Sequence, residues 1–148
     1  GEEGNDQLIG GLGDDLLFGE AGNDTYIMAR GAGMDSITDN DSTSGNTDVI
    51  SFLAGVAHNQ LWFRHVDNSL EISIIGTTSK VLVQDWYFGS SRHVEQIKTV
   101  DGNKTLLDSK IENLVTAMAS LTPPPVGQTT LTTEQHAALD AVIAANWS

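Results

Sequence analysis

Asp6, Asp15 and Asp24 recur at a spacing of nine residues, each inside a glycine-rich turn, and residues of these types at that interval could hold a metal ion. The three units run Gly1–Ile9, Gly10–Phe18 and Gly19–Ile27, with glycine at positions one and four, aspartate at six and a large apolar residue at eight. Glycine-rich hexapeptides bend tightly and leave their carbonyls open to a ligand. Hard cations such as calcium gather about 6–8 carboxylate and carbonyl oxygens at about 2.3–2.6 Å. An oxygen-only donor set argues against zinc or copper, and magnesium demands a smaller octahedral shell and keeps its waters.

Self-similarity at a short fixed period marks a solenoid. Leu8, Leu17 and Tyr26 are expected in short strands, pointing inward while their neighbours point outward. If one unit is half a coil, turns eighteen residues apart stack, and two half-sites close around one ion. That pairs the turn Gly1–Asp6 with Gly19–Asp24.

The pattern Gly-Gly-x-Gly-x-Asp-x-apolar-x, nearly complete in Gly10–Phe18, resembles the repeats-in-toxin (RTX) nonapeptide of type I secreted bacterial proteins. The resemblance implies a mainly β fold, a parallel β-roll that binds Ca2+ between stacked turns. In that family one turn gives the carbonyls of positions two and four with its aspartate, and the next stacked turn gives those of positions one and three with its own. Carried over, one site would use Glu2, Gly4 and Asp6 with Gly19, Ala21 and Asp24, and Gly22 at position four of the same turn joins the candidate ligands. Glu2 and Glu20 stand where the pattern has glycine, so a non-glycine residue must take the turn geometry there. After Ile27 the register slips by two residues, and Arg30–Thr38 restores it. Asp35 would then face Asp15, giving a second site with the carbonyls of Gly11, Gly13, Arg30 and Ala32. A fifth, degenerate unit keeps Gly45, Asp48 and Ile50 after the polar loop Asp39–Asn46. Asp39, Asp41 and Asp48 there are either helpers of a third cation site or surface acids.

The elements that must position these turns follow from patterning. From Val49 to Leu107 the chain alternates in short apolar strands. Leu61–Val66 and Leu70–Ile75 flank the hairpin signal Asp67-Asn68. Val81–Tyr87, then Val94–Val100 and Thr105–Leu107 about Asp101-Gly102, continue it. This region is expected to cap the roll, because a last coil otherwise exposes its core and strand edges. Asp48–Val56, Leu61–Phe63, Gly76-Thr77, Asp85–Tyr87 and Val94–Ile97 resemble the haemolysin-type calcium-binding related domain, which follows nonapeptide arrays. Its usual acid after the Gly-Thr pair is replaced here by Thr78 and Ser79. Ser109-x-x-Glu112 reads as a capping box opening a helix with Ile111, Leu114, Val115, Met118 and Leu121 on its apolar face. Pro123–Pro125 makes a stiff linker. Thr132-x-x-Gln135 caps a last helix carrying Leu139, Val142, Ile143 and Trp147 on one stripe. The expected division is a repeat domain over 1–48, a β-rich cap ending in a helix over 49–121, and a linker with an amphipathic helix over 122–148. The last helix either packs on the cap or, as the resemblance implies, serves as an uncleaved C-terminal export signal.

Charge narrows the function further. The net charge is −13, and residues 1–48 hold eleven acids against the single Arg30, with ten of the fifteen glycines. Such a segment resists compaction by self-repulsion and backbone entropy, and bound divalent cations would couple its folding to binding. Seven Lys and Arg, none clustered, argue against nucleic acid as a partner. No apolar run approaches the roughly 18 residues of a membrane span, and with no cysteine there is no disulfide framework.

Catalytic constellations are not found. His58, His65, His93 and His136 form no i, i+4 ligand pair, and there is neither His-Glu-x-x-His nor a Gly-x-Ser-x-Gly elbow. The reading is therefore non-enzymatic, and the resemblance implies a module that folds on calcium outside the cell and supports type I secretion of a larger protein. Its partners would be calcium ions, the export machinery and an upstream domain of the same polypeptide. The alternatives are an extracellular adhesion or ligand-binding module with structural calcium, in which Trp62, Trp86 and Tyr87 would form a sugar-stacking platform, or the non-catalytic tail of a secreted hydrolase or toxin.

Overall fold

Consecutive strands of the repeat segment go to alternate sheets. In the computed structural model, which describes all residues from Gly1 to Ser148, β1 (Gln7–Ile9), β3 (Thr25–Met28) and β5 (Val49–Phe52) lie side by side in one sheet. β2 (Leu16–Phe18) and β4 (Met34–Thr38) lie in the other. All of these neighbours pair in parallel, because each chain segment crosses to the facing sheet and returns in the same direction. The apolar position eight of each unit points between the sheets: Leu17, Tyr26, Ile37 and Ile50 are buried, with Leu8 half-buried at the edge.

Both sheets then continue beyond the repeats. β6 (Leu61–Val66) and β7 (Ser69–Ile74) form the expected hairpin, with Asp67 at φ 51° in its turn. β8 (Lys80–Val83) joins β4 in parallel and β7 antiparallel, giving the order β2-β4-β8-β7-β6. β9 (Gln96–Thr99) joins β5 in parallel and β10 (Lys104–Leu107) antiparallel, giving β1-β3-β5-β9-β10. The protein is thus mainly β, with ten strands in two sheets and two helices. The expectation of a parallel β-roll is met only in part: both sheets are mixed and do not close into a solenoid, since each ends in an antiparallel strand.

Two further expectations are corrected. The strand expected over Val81–Tyr87 stops at Val83, where Asp85 at φ 58° turns the chain into a short helical turn, Trp86–Phe88. Helix α1 (Asp108–Ala119) starts one residue before Ser109, with Leu107 as its N-cap and no side-chain cap. Glu112, the expected box partner, instead accepts a hydrogen bond from the Tyr87 hydroxyl at 3.0 Å. Helix α2 (Thr133–Asn146) does carry the Thr132–Gln135 capping box. It lies against α1, where Asn113 donates to Asn146 at 2.8 Å, and buries Leu139, Ile143 and Trp147 in the common core. Neither helix is long and apolar enough to cross a membrane.

Candidate metal centre

Period-18 stacking puts the position-six acids in register, because Asp6 and Asp24 each precede a paired strand. The Asp6 N–H donates to Asp24 Oδ1 at 2.8 Å, while the Thr25 N–H donates to the Asp6 carbonyl at 2.8 Å. The same step repeats upward. Asp24 N–H donates to Asp48 Oδ1 at 2.7 Å, and Asp48 N–H donates to Glu95 Oε2 at 2.8 Å. Four acids therefore form one ladder, in which Asp24, Asp48 and Glu95 each hold the amide of the acid below. Glu95 belongs to it because Gln96 pairs with Val49. In the sequence Glu95 sits inside an apparent strand and lacks any glycine-rich turn, so only the register reveals it.

The opposite edge carries a shorter ladder. Asp15 N–H donates to Asp35 Oδ1 at 3.1 Å across a twenty-residue separation. The two extra residues are absorbed in a tight turn, where Ala32 N–H donates to the Ala29 carbonyl. The ladder ends there, because Val81 is the residue opposite Asp35 in β8.

Main-chain bonds zip the stacked turns together. Gly4 N–H donates to the Ala21 carbonyl at 2.8 Å, Ala21 N–H to the Glu2 carbonyl at 3.2 Å, and Gly13 N–H to the Ala32 carbonyl at 2.8 Å. The structure thus brings Glu2, Gly4 and Asp6 against Gly19, Ala21, Gly22 and Asp24, and Gly13 and Asp15 against Ala32 and Asp35. Gly11 stands in open space. Arg30 turns its guanidinium to the Gly55 carbonyl and to Gln60 Oε1, clamping the following loop. Of the two glutamates at position two, Glu20 takes the expected left-handed geometry at φ 72°, as Gly11 does at φ 99°, whereas Glu2 does not. Position one needs glycine for space: a Cβ on Gly1, Gly10 or Gly19 would strike the carboxylate of its own turn.

These residues fit an oxygen-coordinated cation. Asp15 Oδ2 and Asp24 Oδ2 are buried with no hydrogen-bond partner, although unpaired buried charge is costly. The other oxygen of Asp24 serves the ladder, which leaves one oxygen available for a ligand. Burial, and then neighbouring carboxylates, raise the acids of Asp24, Asp35 and Glu95 above the ordinary range, opposed by the backbone N–H groups they accept. Burial, followed by the facing Asp48, pushes Asp39 further up. An acid whose folded pKa is raised contributes stability that is fully present below its unfolded value and is lost as pH rises through the folded one. In buffer stripped of divalent cations, whatever β structure the ion-free protein retains is therefore expected to be greater at pH 5 than at pH 7.5, read by far-UV circular dichroism. Asp41, lowered by its bonds to Thr43, works weakly the other way. Equal residual signal at the two pH values would show that protonation of the buried acids does not support the ion-free fold.

The aromatic and histidine side chains form no second centre. Trp62 and Trp86 are buried, which removes the exposed platform that sugar stacking would need. His65 stacks on Tyr87, and His93 stacks on Trp86 with Nδ1 3.1 Å from Asp108. His136 pairs with Asp140 on the exposed face of α2.

Comparison with known proteins agrees with this geometry. Residues 1–34 match the RTX calcium-binding nonapeptide repeat family, and residues 70–104 match the haemolysin-type calcium binding protein related domain. The chain is also similar to the iron-regulated protein FrpA of Neisseria meningitidis serogroup C, 33% identical over 93 residues. That alignment takes in 62% of this chain and 8% of the length of the relative.

Proposed function

We propose that this segment, which carries calcium-binding nonapeptide repeats and a haemolysin-type related domain, is a calcium-driven folding module of a larger secreted protein. The observation that carries the reading is the pair of acid ladders with buried, partnerless oxygens on Asp15 and Asp24. Bound calcium would supply the positive charge and the oxygen-seeking coordination that these carboxylates lack. Asp6 and Asp24, with carbonyls of Glu2, Gly4, Gly19, Ala21 and Gly22, would hold one ion. Asp15 and Asp35, with carbonyls of Gly11, Gly13, Arg30 and Ala32, would hold a second. Units alternate between the two sheets, so ordering the turns of one site holds the strands that lead into the other.

The division into repeats over 1–48, cap over 49–121 and tail over 122–148 gives each part a task. Residues 1–48 concentrate the charge and the glycine, and stay expanded where calcium is scarce. Residues 49–121 supply strands that extend both repeat sheets. The tail, with α2, would meet the type I export machinery before it docks on α1. Extracellular calcium modules bind at about 10⁻⁴–10⁻³ M, which matches folding after export. A ligand that binds only the folded form at a hundredfold excess over its Kd contributes roughly 2.7 kcal/mol per site. The module itself is non-catalytic, and any activity would belong to other parts of the polypeptide.

The test is a calcium titration followed by far-UV circular dichroism, with magnesium as control. A cooperative gain of β signal with calcium alone is expected. Full β signal in chelator, unchanged by calcium, would sink the folding-switch reading.

A further inference from the structure

We propose a further divalent-cation site of the calcium class where the repeats meet the cap, held by the carboxylates of Asp39 and Asp48 and the hydroxyl of Tyr26. It extends the calcium reading above to side chains outside the stacked nonapeptide turns.

Asp39 follows the last residue of β4 and Asp48 immediately precedes β5, so the two acids bracket the polar loop that crosses from one sheet to the other. Both acids are only 1% exposed. Asp48 is held on both sides: its Oδ1 accepts the Asp24 amide, its Oδ2 accepts from Asn46 at 3.1 Å, and its own N–H reaches Glu95. Asp39 is different. Both of its oxygens are buried and accept no N–H or O–H, and the only side chain close enough to pair with them is another acid, Asp48. No Lys, Arg or His pairs with either acid.

A second, independent group points to the same place. The Tyr26 hydroxyl, on β3 between the sheets, is fully buried and also has no partner. It lies against Gly19, and the charges of Asp39, Asp48 and Asp24 all bear on it. The other units carry leucine or isoleucine at this position, so the hydroxyl is not a packing requirement of the repeat. These buried oxygens lack any fixed positive partner; in the ion-free protein Asp39 and Asp48 can share a proton, and hard oxygen donors of this kind select a hard cation to replace it. No three acidic or histidine side chains converge as a metal cage in the chain. The rest of the shell of about 6–8 oxygens falls to main-chain oxygens and water. Through Asp48 and Glu95 the ion would tie closure of the cap to the repeats.

Equilibrium dialysis with atomic absorption counts calcium per chain in the wild type, Asp39→Asn, and Asp24→Asn with Asp15→Asn. Asp39→Asn is isosteric and neutral, and is expected to fold in calcium and to bind one ion fewer. Equal, non-zero counts in wild type and Asp39→Asn would overturn the junction site while leaving the turn sites standing. An unchanged count in the Asp15 and Asp24 variants would instead overturn the turn sites. A second variant, Tyr26→Phe, keeps the ring and is read by terbium(III) emission excited through the aromatic rings. Loss of one emissive component supports the site; emission identical to wild type overturns the hydroxyl's part in it.

Discussion

Asp24→Ala is expected to raise the calcium concentration at the folding midpoint at least tenfold, whereas Asp14→Ala shifts it less than twofold. Asp24 is fully buried, holds the Asp6 amide, donates its own amide to Asp48 and keeps one oxygen free of any partner. It thus stands in the middle of the longer ladder, where losing it removes a carboxylate and unpins the turns above and below. Even residues that only orient metal ligands cost roughly 10–100-fold in affinity when removed, so a direct ligand should cost no less. Asp14 is exposed and accepts only the Met34 amide, at 2.9 Å. The check is a calcium titration of both variants by circular dichroism under one set of conditions. Coincident midpoints would remove Asp24 from the ligand set.

Gly22→Ala should destabilise the calcium-loaded fold by roughly 2–4 kcal/mol, read as the shift in urea midpoint. Gly22 sits at φ 135°, and a Cβ there would be driven into the Gly4 carbonyl of the turn beneath it. Gly33 repeats the arrangement over Gly13, at φ 122°. The alanine carries two costs together, a left-handed backbone and the separation of two turns joined by main-chain hydrogen bonds. Gly11→Ala is the informative contrast: φ 99° imposes the backbone strain, but nothing stands within reach of the new methyl group. A loss at Gly22 no larger than that at Gly11 would mean that stacked turns do not need contact between their backbones.

The chemistry of the repeat could be read directly because a nine-residue period is a local property. Glycine, aspartate and leucine at fixed offsets dictate turn, ligand and core whatever surrounds them, and the two strand faces follow from alternation. The hairpin at Asp67-Asn68 and the cap at Thr132 were equally local. Errors arose where a distant partner outweighed a local signal. Glu112 looks like a capping-box residue, yet the Tyr87 hydroxyl takes it, and α1 begins at Asp108. The apolar run after Lys80 looks like one long strand, but it ends at Val83, where Asp85 turns the chain.

By itself, then, the sequence determined the calcium-type turns, their spacing and the alternation of strands between faces, since each depends on neighbours a few residues apart. Tertiary structure alone decided how far the acid ladders run. Glu95 enters the longer one because β9 pairs with β5, and the shorter one ends because β8 presents Val81 to Asp35. It also decided that Asp39, written into a polar loop, is buried close to Asp48. Register and burial are set by the docking of strands dozens of residues apart, and no local pattern encodes that docking.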